Sequence, residues 1–381
     1  MATLDSLPLL VVLNPKAGRK QGTEQFFKVI QPALERSGTP FRLIETAAAG
    51  HAQSYIKEFA QTLAVSKVEA VSAIYSEPII ATNITLRIMV VGGDGTVHEV
   101  VNGMIEGLVA RSSVPFKPKI EFSIIPAGTG NAIATSLGVV SVQGALDRFL
   151  TGNSIPLQVI RVSKRSQGAV SSHSNSQDWE AQVYTVVVNS FGLHCATVQD
   201  AEGLRFLGND RFRIAALKNI LMLKQYEGRI DFYGSFQRYD RGLKEMVLSS
   251  DITTYVSSNS LSHTLTGPFT YLMLTKQSSL ERGFLPTPLA KTSDEWIDIL
   301  AVQNVDRRQI LKVLGAAAKG GHHIHHEQVE YFKAKVVEFE TPTNGRICID
   351  GEFLDVEAGP QGRLRFEIAL GSSVQIFHVF T

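Results

Sequence analysis

Gly92-Gly93-Asp94-Gly95-Thr96 is the stretch of this chain whose residue types and spacing suit chemistry. It follows the apolar run Ile88-Met89-Val90-Val91. It precedes Val97, Val100, Val101, Met104, Ile105 and Leu108, which recur at helical spacing. Arg87 to Met104 therefore reads as strand, turn and helix. Thr96 and Glu99 have the spacing of a capping box, which predicts a helix start at Thr96. Three glycines in four residues remove the Cβ atoms that would keep a ligand off the backbone. The unpaired amides of a first helical turn then favour an anion, most often phosphate. A carboxylate at Asp94 would repel phosphate unless it serves a metal ion or a proton transfer, and that tension points to phosphoryl transfer. The plain alternative is a tight strand-to-helix connection of an α/β domain.

Composition bounds the class. The chain has 381 residues, enough for two domains, with 44% hydrophobic and 19% charged residues, which excludes global disorder. A net charge of +1 gives no bulk electrostatic case for nucleic acid or an anionic surface. Cys195 and Cys348 are too few for a disulfide framework, and the chain reads as intracellular. MATLDSLPLLVVLNP has no basic leader, so no secretory signal is expected, and no apolar run reaches the length of a membrane span.

The elements that must position the turn follow from the order of patterns. Leu9 to Leu13 is a short apolar strand running into Asn14-Pro15-Lys16-Ala17-Gly18-Arg19-Lys20. A helix over Gln21 to Ser37, a strand over Phe41 to Glu45 and a junction at Thr46 to His51 come next. The following helix is expected to end near Leu63, with Ala64 to Leu86 as an irregular insertion. A strand at Phe122 to Ile125 ends in Pro126-Ala127-Gly128-Thr129-Gly130-Asn131, which opens another helix. Alternating strand and helix predicts a parallel sheet with helices on both faces, and four strand ends carry small or polar loops compatible with phosphate.

Beyond Gly152 the β pattern takes over. Strands are expected at Ile155 to Val162, Val183 to Asn189, Arg229 to Tyr233, Met246 to Tyr255, Phe269 to Leu274 and Trp296 to Val302. Three more are expected at Val329 to Glu340, Arg346 to Ile349 and Leu364 to Ile368. Helices are expected near Arg211 to Lys224 and Arg307 to Lys319, and a polar loop at Ser163 to Asp178. The expected division is an α/β domain over 1–152 and a mainly antiparallel β-sandwich over 153–381.

These motifs together resemble the diacylglycerol kinase catalytic-domain superfamily, and within it the sphingosine and ceramide (long-chain base) kinase branch. The resemblance rests on Asn14 to Gly18, Thr46 to Ala52, Gly92 to Gly103, Pro126 to Asn131, Gly192 to Phe212, Tyr226-Glu227-Gly228 and Asp350-Gly351-Glu352. It implies an ATP- and Mg²⁺-dependent lipid kinase, with the nucleotide in a cleft between the domains and the lipid in a mostly apolar pocket of the second. Asp94 matches the base that takes the proton from the acceptor hydroxyl. Asn14, Pro15, Lys16, Thr46 and Thr129 match positions at the nucleotide, where Gly92, Gly93 and Gly95 allow close approach of phosphate. Arg205 and Arg211 match two arginines that reach the phosphates. Asp350, Gly351 and Glu352 match a segment that returns to the nucleotide, its acids helping to place Mg²⁺. Read without the resemblance, a D-G pair between strands is an ordinary hairpin signal.

The expected acceptor is the primary hydroxyl of a sphingoid long-chain base; the alternatives are ceramide, diacylglycerol or another lipid alcohol, then an NAD kinase or a non-catalytic lipid-binding protein. The expected setting is cytoplasmic, with peripheral contact at a membrane, no transmembrane segment and no nucleic-acid partner. One departure stands out. Ala196 occupies the position of the branch's head-group aspartate, with Asp200 and Glu202 four and six residues on. His322, His323, His325 and His326 are adjacent rather than ligand-spaced, and read as a turn. Gln309 to Ala318 is amphipathic, and packing on the β-domain is its expected role.

Overall fold

The computed structural model describes residues 9–18, 21–72, 85–109, 118–128, 130–166, 179–204, 207–208, 210–248, 260–369 and 377–381. Thr129, Arg205, most of the Ser-rich loop, residues 73–84 of the expected insertion and the end of the Met246–Tyr255 run lie outside them. The chain divides into two compact units, Met1–Gln158 with Ala369–Thr381, and Val159–Ile368.

The first unit alternates strand and helix as its periodicity dictates. It runs β1 (Leu9–Leu13), α1 (Gly22–Gln25), a π-helical turn (Phe26–Ile30), α2 (Gln31–Arg36), β2 (Phe41–Glu45), α3 (His51–Ser72) and β3 (Thr85–Gly92). It continues through α4 (Asp94–Val109), β4 (Lys119–Pro126), α5 (Ala132–Ser136), α6 (Val142–Thr151) and β5 (Ser154–Leu157). β1 is apolar along its whole length because it is buried on both faces, lying between β2 and β3. Val12 is level with Ile44 on one side and Val90 on the other, and Val91 with Ile125. The parallel part of the sheet has the order β2-β1-β3-β4. Successive crossovers leave β1 in opposite directions, so the topological switch point lies between β1 and β3.

Glycines set one helix contact. A Cβ at Gly103 would come 2.3 Å from Gln53 O, and one at Gly107 2.5 Å from Lys57 O. α4 therefore lies directly against the backbone of α3. α3 itself runs on to Ser72, past its expected end near Leu63, so the start of the supposed insertion is helical.

The second unit holds β6 (Ile160–Arg165), β7 (Trp179–Thr185), β8 (Val188–Gly192), α7 (Leu193–Glu202), α8 (Asp210–Leu221), β9 (Arg229–Asp240), β10 (Glu245–Leu248), β11 (Leu261–Thr266) and β12 (Phe269–Thr275). β13 (Ile297–Gln303), α9 (Arg307–Ala317), β14 (Val329–Glu340), β15 (Gly345–Ile349), β16 (Glu352–Val356) and β17 (Leu364–Ile368) complete it. Its strands pair antiparallel in the order β16-β15-β8-β12-β13-β14-β17-β6-β7, with β9 on β14 carrying β10 and β11. The sheet curls around a core that includes Phe191, Phe232, Phe236, Phe269, Phe332, Phe339 and Phe366.

Two differences from expectation have clear causes. The run Ile155 to Val162 is two strands in two sheets: β5 pairs with the C-terminal strand β18 (Phe377–Phe380), while β6 pairs with β17. β18 also pairs parallel to β4, and its Phe377 and Phe380 rings pack on Phe122 and Phe149 at 5.4 and 5.3 Å. Buried aromatic surface thus draws β18 back to the first sheet, whereas the expected division put all of 153–381 in the second domain. The run Val183 to Asn189 likewise splits into the end of β7 and the start of β8.

Candidate active site

The carboxyl ends of β2, β1, β3 and β4 lie side by side, so the loops that follow them form one row along the sheet edge. Hydrogen bonds stitch the row together. Asn14 N–H donates to Val91 O at 2.9 Å, and its side-chain oxygen accepts from Lys16 N at 3.0 Å. Its Nδ2 donates to Thr96 Oγ1 at 3.1 Å, across the switch point. Half-buried Pro15 lies in the same turn, and exposed Lys16 donates from Nζ to Ala47 O at 3.3 Å. Thr46 is buried, its amide donating to Leu13 O at 2.8 Å.

The expected capping box does not form. α4 starts at Asp94, two residues early, and the amides of Thr96 and Val97 donate to Gly93 O at 3.0 and 3.3 Å. Thr96 is already inside the first turn, where it cannot cap, and its hydroxyl serves Asn14 instead. Glu99 Oε2 accepts from Ala52 N at 3.1 Å, capping α3 rather than its own helix.

The glycines of the turn divide by role. A Cβ at Gly92 would lie 2.7 Å from Thr96 Oγ1, and one at Gly93 would lie 2.8 Å from Gly130 O. One at Gly128 would lie 2.3 Å from Gly93 Cα. The β3 and β4 turns therefore pack backbone on backbone, and these glycines are required by the protein itself. Gly95 differs: it is exposed, and a Cβ there would meet nothing within 4 Å.

Asp94 stands at the centre of this contact. Its amide donates to Gly130 O at 3.1 Å. Its Oδ2 accepts from Ala132 N at 2.8 Å and its Oδ1 from Ile133 N at 3.3 Å, so the carboxylate caps α5. Two backbone amides thus orient the group. The charge that would repel phosphate is partly offset by the protein.

In the second unit, Asp350 and Gly351 have φ of +49° and +96° and join β15 to β16 as a two-residue turn with both residues left-handed. The Asp350 carboxylate accepts from Val186 N at 2.8 Å, Val187 N at 2.9 Å and Val188 N at 2.8 Å. It fastens the β15–β16 hairpin to the β7–β8 link. A divalent cation fits poorly there, because the lone pairs it needs already face three amides. Glu352 is exposed on the next residue of the hairpin. Among the described residues no group of three His, Cys, Asp or Glu side chains is placed to hold a metal. Arg211 lies near the start of α8 with its guanidinium 4.5 Å from the Phe212 ring centroid.

A cavity of about 510 Å³ opens within the second unit beside α7 and α8. Ala196 and Asp200 both line it, because a four-residue step on α7 keeps one face. Asp200 Oδ2 accepts from Asn219 Nδ2 at 2.8 Å and lies 3.0 Å from Lys218 Nζ. Burial pushes its carboxyl up, but the Lys218 and Asn219 contacts outweigh this and hold it below the usual range. Phe191, Tyr226 and Met222 supply apolar wall, and Lys224, Glu227 and Arg346 add charge, so the lining is mixed rather than mostly apolar. Burial pushes the Cys195 thiol, also in the wall, up to about 12, which leaves it protonated and unreactive.

Sequence reasoning missed several of these groups. Thr96 was spent on a predicted cap, and Gly128 showed only as part of a small-residue loop. Lys218 and Asn219 carried no signal, since their partner lies on another helix. The histidines behave as a structural turn: His323 Nε2 is 2.8 Å from Pro286 O, and His325 Nδ1 is 2.9 Å from Tyr239 Oη.

Comparison with known proteins agrees with this layout. Residues 8–162 match the diacylglycerol kinase catalytic domain, and residues 186–361 match the YegS C-terminal NAD kinase beta sandwich-like domain. Sphingosine kinase 2 of Arabidopsis thaliana is 27% identical over 374 residues, covering 92% of this chain and 70% of that protein. Sphingosine kinase 1 of Homo sapiens is 24% identical over 362 residues, covering 92% and 87%. A crystal structure of a diacylglycerol kinase from Bacillus anthracis str. Sterne shares the fold, with a TM-score of 0.55, 16% identity and coverage of 98% of this chain and 96% of that one. The two matched domains together account for most of the sequence: the chain carries a diacylglycerol kinase catalytic domain followed by a YegS C-terminal domain, and it is a lipid kinase.

Proposed function

We propose that the protein transfers the γ-phosphoryl group of ATP to the primary hydroxyl of a sphingoid long-chain base. The observation that carries this reading is the position of Asp200, one helical turn from Ala196 on the same face of α7 and in the same cavity. The turn's displacement preserves a carboxylate able to accept a charge-assisted bond from the amine of a long-chain base. Lys218 holds that carboxylate in the free protein, and the incoming amine takes its place. The curated relatives bearing the name sphingosine kinase support the same acceptor.

The catalytic step falls to Asp94. Held by the amides of Ala132 and Ile133, its carboxylate accepts the proton of the acceptor hydroxyl as the oxygen attacks the γ-phosphorus and ADP leaves. The nucleotide falls to the Asn14 turn, with Pro15 and Lys16, and to Thr46; Thr129 is assigned to it by the sequence motif alone. Gly95, open to its surroundings, lets phosphate approach the first turn of α4. Arg205 and Arg211 are assigned to the phosphates by the sequence motif alone. Mg²⁺ bound with the triphosphate would screen its charge, and Glu352, rather than Asp350, would be the carboxylate of the C-terminal turn to help hold it. The protein works at a membrane surface from the cytoplasm.

The test is labelled ATP with a panel of lipids in mixed micelles. Label in a long-chain base, lost in Asp94→Asn and needing a raised KM in Asp200→Asn, is the expected result. Label confined to ceramide or diacylglycerol overturns the acceptor, and no label in any lipid overturns the reading.

A further inference from the structure

Asn131 stands at the cap position of α5, half-buried. Asn is among the residues that most often close a helix start with their own side chain. Here it does not, and no bond runs from its side chain to the first amides of α5. The side chain turns back instead. Its Nδ2 donates to Gly128 O at 2.7 Å, and its Oδ1 accepts from Gly128 N at 3.1 Å. Gripping both groups of one residue needs a donor and an acceptor side by side, which the Asn amide has and Asp or Ser does not. Gly128 is fixed in turn to the Gly92–Gly95 stretch. Its amide also donates to Gly92 O at 3.0 Å, and a Cβ on it would lie 2.3 Å from Gly93 Cα. On the helix side, the Asn131 carbonyl accepts from Thr135 N and Thr135 Oγ1, both at 2.8 Å. One residue thus joins the β3 turn to the start of α5.

The cap that Asn131 leaves open is filled from outside the helix. Asp94 Oδ2 accepts from Ala132 N and Oδ1 from Ile133 N, while Gly130 O accepts from the Asp94 amide. An N-cap side chain seeks the second and third amides of its helix, which in α5 are those of Ile133 and Ala134. Ile133 N is one of the two that hold Asp94. A side chain at 131 that capped its own helix would therefore compete with the Asp94 carboxylate for the same donor.

We propose that Asn131 is a positioning residue for Asp94. By committing its side chain to Gly128 it leaves the first amides of α5 to the carboxylate, and so fixes where that carboxylate sits. The inference rests on the reading of Asp94 as the base. Two variants test it in the full-length protein, measured beside Asp94→Asn with the acceptor that the lipid panel labels. Asn131→Ala loses both bonds to Gly128 and supplies no cap. Asn131→Ser loses them too but brings a strong, uncharged N-cap that draws Ile133 N away from Asp94. Asn131→Ala should melt a few degrees below wild type, with kcat down on the order of tenfold and KM for ATP unchanged. Asn131→Ser should regain part of the lost melting temperature and none of the lost kcat. A merely structural role would let kcat recover with the melting temperature. Should Asn131→Ala not fold, Asn131→Ser against wild type carries the test. Recovery of both quantities in Asn131→Ser overturns the inference, as does wild-type kcat in either variant. A raised KM for ATP at unchanged kcat overturns it too, and would assign Asn131 to the nucleotide. Asp94→Asn keeps the two claims apart. If it is inactive while the Asn131 variants turn over as wild type does, only the positioning role falls. Full turnover in Asp94→Asn sinks base and positioning residue together, and protein that labels no lipid sinks the acceptor reading with both.

Discussion

Asp94 and Asp350 are each followed by glycine in a tight turn, and each turn looks from its residues like a place for phosphate or metal. Both carboxylates are in fact held by backbone amides, and the difference between them lies in how completely. Asp350 faces three successive amides from a left-handed backbone, in a turn that joins two paired strands. Asp94 faces two amides of a short helix, half-buried at the edge of a sheet where three other loops converge. The first arrangement consumes the carboxylate in fastening the fold. The second orients a carboxylate at the rim where α/β proteins bind their ligands. The same residue pair therefore serves as staple or as candidate base, according to what surrounds it.

The comparison can be broken by substitution. The largest effect is expected at Asp94. Asp94→Asn keeps an acceptor for Ala132 N but no proton acceptor, so kcat should fall at least ~10²-fold with little change in melting temperature. Retained turnover would remove Asp94 from the chemistry and leave it, like Asp350, a staple. Asp350→Ala should do the reverse. Three amides lose a charged partner, costing on the order of 3 kcal/mol in unfolding free energy by denaturant titration. Asp350→Asn, which tolerates the left-handed turn, should recover part of that loss.

A pH titration sharpens the contrast through His194 and His323 of the second unit. Burial holds His194 and His323 down to about 4 from an ordinary value of 6.5. Folding thus favours their neutral forms. Their contribution is fully present above pH 6.5 and is lost as pH falls from 6.5 through about 4. Melting curves across that window should show a loss on the order of a few kcal/mol, and a flat profile would mean that the two rings gain protons without leaving their sites.

The smallest effects separate the glycines of the turn. Gly93→Ala places a Cβ 2.8 Å from Gly130 O and should destabilise by about 1–3 kcal/mol. Gly95→Ala meets no protein atom within 4 Å and should leave the melting temperature nearly unchanged. A raised KM for ATP in Gly95→Ala alone would tie that glycine to the nucleotide; normal kinetics would leave it a plain turn residue.

Much of this was legible in the residues. The fully apolar β1, the alternation of strand and helix to residue 152 and the shift to β pattern after it specify an α/β unit followed by an antiparallel one. β14 and β17 have the bounds their patterns predict. Periodicity is local, and it survives in sequence because each element must bury one face whatever it packs against. The strand-end loops were legible for the same reason, since a parallel sheet puts successive loops on one edge.

Tertiary structure alone decided the partners. Nothing local told that Thr96 would serve Asn14, that Glu99 would cap α3, or that Asp350 would be spent on Val186 to Val188. Each of these bonds joins residues more than 40 positions apart, and a side chain's local spacing says nothing about which distant amide or hydroxyl will reach it. The return of β18 to the first sheet and the pairing of Asp200 with Lys218 and Asn219 belong to the same class. Sequence supplied the groups capable of phosphoryl transfer; packing determined which are already held by the protein and which remain for a ligand, because hydrogen-bond competition is settled only when the elements meet.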